Sequence, residues 1–185
     1  MINQKESRAR KFGNQGFTLI EILIVVMVLG ILAMVIVPQI TVSTTDAKES
    51  TLETNLVAMR NAMELYYHQH DNTYPGYNMS ADGARSTSDA LSASSLILQL
   101  TQYTEASGKV ATTKSTTAAY GPYLKSTTLP ANPFVTSATA AVAVVCDFDE
   151  AAITAKVSDG TTGWKFYPVT GVLLANDGGT GHDLL

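Results

Sequence analysis

The chain has 185 residues, enough for one membrane segment and one modest globular domain. It carries 12 Lys and Arg against 16 Asp and Glu, a formal charge of −4, and this acidic balance argues against nucleic acid as its main partner. The single cysteine, Cys146, excludes an intramolecular disulfide, and we interpret it as a small buried apolar side chain.

Residues 1–16 are interpreted as a basic leader peptide. They lack apolar periodicity, contain four of the 12 basic residues and one of the 16 acidic ones, and end in Gly16. Their removal leaves eight basic and 15 acidic residues, a formal charge of −7. Because basic residues precede the following apolar segment and acidic residues come after it, the pattern predicts a cytoplasmic N-terminus and an exported globular part.

Residues 17–38 form the apolar segment, which we predict to be a transmembrane and assembly helix. As a helix, residues 17–37 would span about 31 Å, the hydrocarbon thickness of a bilayer. Glu21 is the only charged residue in this run, and a carboxylate in lipid costs several kcal/mol unless it is neutralised or paired. Gly30 and Pro38 both weaken the second half of the helix, which could therefore stretch or kink.

The apolar segment has three alternative interpretations. An ordinary secretory signal would have a shorter apolar core followed by a small-residue cleavage site. A plain anchor, with Glu21 tolerated near the interface, stays open. A buried soluble helix fits poorly, because the run is apolar on all faces.

A short basic leader ending in Gly16, then Phe17-Thr18-Leu19-Ile20-Glu21, an apolar run and Pro38, resembles the class III signal of type IV pilins and pseudopilins. The resemblance implies that a prepilin peptidase cleaves after Gly16 and that the new amine of Phe17 is methylated. It also implies that the Glu21 carboxylate pairs with that amine on a neighbouring subunit. The chain would then be a filament subunit rather than an enzyme.

Residues 39–75 are predicted to continue the helix in amphipathic form. Apolar residues recur there at spacings of four and three: Leu52, Leu56, Met59, Met63 and Tyr66. This stripe is expected to pack against the chain's own sheet, and the helix is expected to end near Tyr67, before Pro75. His68 and His70 stand two residues apart and do not share a helix face, which argues against a joint metal site.

Residues 76–185 are predicted to form a periplasmic α+β head. A second, shorter helix is indicated by Leu91, Leu96, Leu100 and Tyr103, whereas residues 137–145 are ambiguous between helix and strand. Residues 153–157 suggest a strand, and residues 164–167 and 172–175 a hairpin. The predicted fold class is thus α+β, a long N-terminal helix on a small antiparallel sheet, which the resemblance equates with the pilin fold.

Three further segments resemble the major pseudopilin of type II secretion systems: the Tyr74-Pro75 turn, Gly121-Pro122-Tyr123-Leu124 and Pro130-Ala131-Asn132-Pro133. This resemblance implies a single-pass inner-membrane protein that polymerises with copies of itself and contacts other pseudopilins and the inner-membrane assembly platform. The resulting periplasmic filament would drive protein secretion. Two alternatives stay open: a type IV pilin for adhesion, motility or DNA uptake, and a membrane-anchored exported binding module that never polymerises.

The Gly-rich C-terminus carries two carboxylates, Asp177 and Asp183, which with nearby carbonyls could ligate calcium. Related major pseudopilins hold calcium in a loop near this end, so the resemblance implies calcium as a possible cofactor. A solvated Gly-rich tail is the alternative. No nucleophile elbow, HExxH or paired-cysteine motif is present, and the sequence offers no reason to propose a catalytic site.

Overall fold

The computed structural model describes residues 16–148, 158–179 and 181–182, without the side chains of residue 35 and residues 37–42. The chain divides into two compact units, Met1–Thr44 and Thr45–Leu185. The leader, except for Gly16, and the strand predicted at residues 153–157 lie outside the described residues.

The first helix, α1, runs over Leu19–Gln69 and contributes to both units. The prediction of one long N-terminal helix is therefore confirmed. In the first unit its described apolar side chains are exposed, from 85% at Leu19 to 49% at Val28. Within the described residues, no helix combines the length and apolar character needed to cross a membrane.

In the second unit, α1 buries the predicted apolar stripe. Its five members are at most 1% exposed: Leu52, Leu56, Met59, Met63 and Tyr66. They share one core with Leu96 and Leu100 of the second helix, α2 (Asp89–Thr101), and with apolar residues of the sheet. The side chain of Ser88 caps α2 by accepting a hydrogen bond from the backbone N of Leu91 at 3.4 Å.

Five short strands and one further helical turn complete the described part of the second unit: β1 (Tyr103–Thr104), β2 (Val110–Ala111), α3 (Ala138–Ala141), β3 (Val144–Cys146), β4 (Trp164–Tyr167) and β5 (Val172–Ala175). Strands β1 and β2 pair antiparallel, and the other three form a sheet in the order β3-β4-β5. The ambiguous residues 137–145 thus contain both a helical turn and the start of a strand.

The sheet differs from the predicted one in the direction of β3. The predicted hairpin is confirmed, since β4 and β5 pair antiparallel with Trp164 opposite Ala175, but β3 runs parallel to β4. The prediction of a purely antiparallel sheet is therefore wrong. Parallel neighbours need a connection of a dozen or more residues, and Cys146 and Trp164 lie far enough apart in the sequence to allow one. Alternation of apolar residues marks a strand but does not give its direction.

Trp164 is the largest side chain at the centre of this core. It is fully buried, and its indole Nε1 donates a hydrogen bond to the backbone O of Pro130 at 2.8 Å. Cys146 is also fully buried, as predicted, and burial raises the pKa of its thiol to about 12. The thiol therefore stays protonated and unreactive at neutral pH.

Beyond the end of α1, His70 is enclosed by aromatic rings. Its imidazole is 1% exposed and stacks on Tyr66, with ring centroids 3.7 Å apart. Nδ1 lies 2.8 Å from the backbone O of Tyr66, which only accepts, so Nδ1 is assigned the proton. Nε2 then accepts from the Thr104 hydroxyl at 2.9 Å, and the neutral ring is fully satisfied.

The stability of the second unit is expected to fall as the pH drops below 6.5. Burial lowers the pKa of His70, outweighing the hydrogen bonds with the Tyr66 and Glu105 backbone and the Asp71 charge, which raise it. As the pH falls, the unfolded chain therefore takes up a proton near pH 6.5, before the folded chain does. The free energy of unfolding then decreases by at most about 1.4 kcal/mol per pH unit. Above pH 6.5 His70 is neutral in both the folded and the unfolded chain, so its full contribution to the stability is present.

Urea unfolding of wild type and His70→Gln between pH 5 and pH 8 measures this dependence. The slope between pH 5 and pH 6.5 should be reduced in His70→Gln and kept in the control His68→Gln, because His68 is exposed. Equal slopes in wild type and His70→Gln would contradict the assignment.

Candidate functional site

The predicted assembly carboxylate lies in the first turn of α1. Both the backbone N and the Oγ1 of Thr18 donate to Glu21 Oε2, each at 2.7 Å, and the backbone N of Glu21 donates to Thr18 Oγ1 at 3.3 Å. These reciprocal bonds form a capping box, in which Thr18 caps the helix and Glu21 occupies its third position. The carboxylate is also favourably placed at the positive end of the helix dipole.

Sequence analysis missed Thr18 as a functional partner of Glu21. The sequence signal is a threonine three residues before a glutamate at the start of an apolar run, which is the pattern of a capping box. In the single chain, one oxygen of Glu21 is already bound by Thr18 of the same chain.

Gly16 and Phe17 precede the helix in non-helical backbone. Phe17 is 85% exposed, and no other part of the chain lies within 4 Å of a Cβ built on Gly16. Exposed backbone outside regular structure is the form in which proteases usually cut a chain. The bond between these residues is therefore accessible.

Gly30 and Pro38 both lie within α1, which is helical on either side of them. Nothing surrounds the Cα of Gly30 within 4 Å of an added Cβ, so its lack of a side chain is not explained by packing within this chain. The side chain of Pro38 lies outside the described residues. The stretching or kinking of this segment stays a prediction.

Replacing Thr18 by Val is expected to loosen the first turn of α1 by about 1 kcal/mol, because the N-cap hydroxyl is lost. Amide hydrogen exchange at Glu21, measured by NMR in detergent micelles, should accelerate by roughly fivefold. Thr18→Ser keeps the hydroxyl and is the matched control. Unchanged exchange in Thr18→Val would show that the capping box does not hold this turn.

Asp177, the first predicted calcium ligand, lies at the other end of the chain and is 2% exposed. Its Oδ2 accepts from Asn132 Nδ2 at 2.9 Å, and its Oδ1 accepts from the backbone N of Gly179 at 2.8 Å and contacts His182 Nδ1 at 3.0 Å. Burial raises the pKa of the carboxyl, but these bonds and the nearby imidazole outweigh it and lower the pKa.

The described residues around Asp177 do not fit a calcium ion. Calcium requires six or more oxygen ligands, whereas this carboxylate faces three N–H donors. Among the described residues, no three His, Cys, Asp or Glu side chains cluster as metal ligands. Asp183, the second predicted ligand, lies outside the described residues. What Asp177 does here is fasten the C-terminal segment to Asn132.

The N-terminal part of the chain matches a known sequence motif. Residues 11–37 match the prokaryotic N-terminal methylation motif, so the chain carries the signal that its sequence predicted. The resemblance to type IV pilins and pseudopilins is thereby confirmed for this segment.

Particular relatives point the same way. The chain is 41% identical over 51 residues to the type II secretion system core protein G of Vibrio cholerae, covering 28% of this chain and 35% of the relative. It is 43% identical over 51 residues to that of Pseudomonas aeruginosa, covering 28% and 36%. It is 40% identical over 58 residues to the type IV major pilin protein PilA of Myxococcus xanthus, covering 31% and 26%.

The chain thus spans between 26% and 36% of the length of these curated relatives. Their names are those of secretion-system and pilin proteins rather than enzymes. No solved structure is significantly similar to the chain.

Proposed function

We propose that the protein is a structural subunit of a type IV filament with the pilin fold, specifically a pseudopilin of a type II secretion system. One observation carries the proposal. The methylation motif at residues 11–37 overlaps the first part of α1, whose described apolar side chains in the first unit are exposed in the single chain. An exposed apolar face of this size requires lipid or other protein chains as cover.

In this proposal the prepilin peptidase cuts between Gly16 and Phe17, and the amine of Phe17 is methylated. Residues 17–38 then hold the protein in the inner membrane in a single pass, with the N-terminus in the cytoplasm and the second unit in the periplasm. Copies polymerise at an inner-membrane assembly platform together with other pseudopilins.

The driving force for assembly is reburial of the apolar helix. A helix that leaves lipid exposes its side chains, and burial against neighbouring helices recovers roughly 25 cal/mol for each Å² removed from water. Such burial is strong but tolerates several registers. Glu21 sets the register, because its charge is stable in a low-dielectric bundle only when it meets a positive group, the Phe17 amine of the adjacent subunit.

Mass spectrometry of the N-terminus, combined with electron microscopy of sheared fibres, tests the proposal. The native host should yield protein that begins at methylated Phe17, and Gly16→Ala should block this processing, whereas Lys11→Ala should not. Mature protein beginning at Phe17 in a strain without prepilin peptidase would contradict it. Fibres that contain the uncleaved leader would contradict it as well.

A type IV pilin is the second candidate, favoured by the similarity to the Myxococcus xanthus pilin. The two functions differ in where the filament is found. Long fibres on the surface of cells at ordinary expression levels would support the pilin. Loss of a secreted protein upon deletion, without surface fibres, would support the pseudopilin.

A further inference from the structure

A pocket of about 500 Å³ lies in the second unit, between the segment that follows α1 and the turn that joins β4 to β5. We call it the tyrosine pocket. Its lining includes Tyr67, Asn72, Thr73, Tyr74, Tyr77 and Thr170. The volume falls within the range of about 300–1,000 Å³ that is typical of small-molecule sites.

The aromatic wall of the tyrosine pocket is fixed in place by the protein. The Tyr74 hydroxyl donates to Glu64 Oε1 at 3.0 Å, and its ring stacks on Tyr67 with centroids 4.4 Å apart. The core residue Phe166 packs against the Tyr74 ring in a T-shaped arrangement, with ring centroids 6.2 Å apart. A wall that is already ordered loses little conformational entropy when a ligand binds.

Gly171 explains how the Tyr74 ring comes so close to the β4–β5 turn. This glycine has φ +74°, and a Cβ placed on it would collide with Cζ of Tyr74. The Arg85 guanidinium lies 5.0 Å from the centroid of the Tyr77 ring and holds this second tyrosine by a cation–π contact. Two of the three tyrosines are thus held by residues outside the lining.

The chemistry of the lining selects an uncharged ligand. None of the described residues that line the pocket is acidic or basic, so the lining itself offers a charged ligand no ion pair to offset its lost hydration. Glu64 and Arg85 contact lining tyrosines from outside and are engaged by them. The aromatic faces offer apolar contact, and the amide of Asn72 can both donate and accept hydrogen bonds. The hydroxyl of Thr73 donates to the backbone O of Asp71 at 3.5 Å, so its oxygen can accept a bond from a ligand.

We propose that the tyrosine pocket binds a neutral saccharide. A sugar ring has apolar C–H faces that suit tyrosine rings, and hydroxyls that donate and accept as the lining groups do. A proline-rich peptide also suits aromatic grooves, but its proline carbonyls only accept, so the acceptor oxygens of the lining would stay unmatched. The site does not depend on whether the chain forms filaments.

The test uses the purified full-length chain in a detergent without sugar headgroups. Chitotriose and maltotriose are titrated as neutral probes, trigalacturonate as a charged one and a proline decamer as the peptide, with binding followed by NMR. At least one neutral sugar should bind with a Kd of about 1 mM or tighter, and trigalacturonate at least about tenfold more weakly.

Two variants locate the binding. Tyr67→Leu removes an aromatic wall, and Asn72→Gly removes the amide while keeping a backbone that has φ 55° in this protein. Each should raise the Kd at least about tenfold. Asp71→Gly is the matched control, since Asp71 also has positive φ but does not line the pocket, and it should leave the Kd unchanged.

Three results would overturn the proposal. The first is no binding of either neutral sugar up to about 20 mM, which lies far above the expected Kd. The second is sugar binding that survives in both Tyr67→Leu and Asn72→Gly, which would place the sugar site elsewhere. The third is binding of the proline decamer that depends on Tyr67 and Asn72 while the sugars do not bind, which would make the pocket a peptide site.

Discussion

Replacing Glu21 by Leu is expected to abolish filament assembly while leaving cleavage after Gly16 and membrane insertion intact. The leucine makes the apolar run more favourable in lipid, so anchoring is not weakened. What is lost is the only charge in that run, and with it the proposed pairing with the Phe17 amine of a neighbour. Electron microscopy of sheared material should show no fibres, a loss of at least about a hundredfold in a cooperative assembly.

Two controls separate pairing from general effects of charge removal. Glu53→Ala removes an exposed carboxylate from α1 in the second unit and should assemble normally. Thr18→Val leaves the Glu21 carboxylate present but takes away its hydroxyl cap, and should assemble with reduced yield rather than not at all. Fibres of normal length from Glu21→Leu would refute the pairing argument.

Replacing Trp164 by Ala is expected to lower the free energy of unfolding of the second unit by about 3–5 kcal/mol. The indole is fully buried at the centre of the core, so its loss leaves a cavity. It also leaves the backbone O of Pro130 without its indole donor. Urea unfolding followed by far-ultraviolet circular dichroism measures the change.

Trp164→Phe restores part of the volume but not the hydrogen bond. It should lower the free energy of unfolding by less than Trp164→Ala does. Leu91→Ala is the surface control, because Leu91 is 47% exposed, and should change stability by no more than about 0.5 kcal/mol. A loss below about 1 kcal/mol for Trp164→Ala would place the core elsewhere.

The elements that sequence predicted well are those whose pattern is local. The stripe from Leu52 to Tyr66 repeats with the helical period, and all its described members are buried. The β4–β5 hairpin was marked by two apolar runs around a turn that contains Gly171. In both cases residues a few positions apart already define the face that must leave water.

The candidate sites were predicted less completely, because their partners come from distant positions. Asp177 was predicted as a calcium ligand, but its partner Asn132 lies 45 residues away and supplies an N–H donor instead of a cation. No sequence pattern around His70 indicated that its imidazole would contact Thr104 and the backbone of Tyr66. Thr18 is the exception, because its partner Glu21 is only three residues away and the capping-box spacing is visible in the sequence.

Sequence alone determined the N-terminal segment of this protein: an apolar run with one acid, preceded by a basic leader and followed by an amphipathic helix. Only the tertiary structure decided that β3 runs parallel to β4, that Asp177 is held by N–H donors, and that three tyrosines line a pocket. Hydrophobic periodicity acts within a few residues, whereas these features depend on how distant segments pack together, which periodicity does not encode.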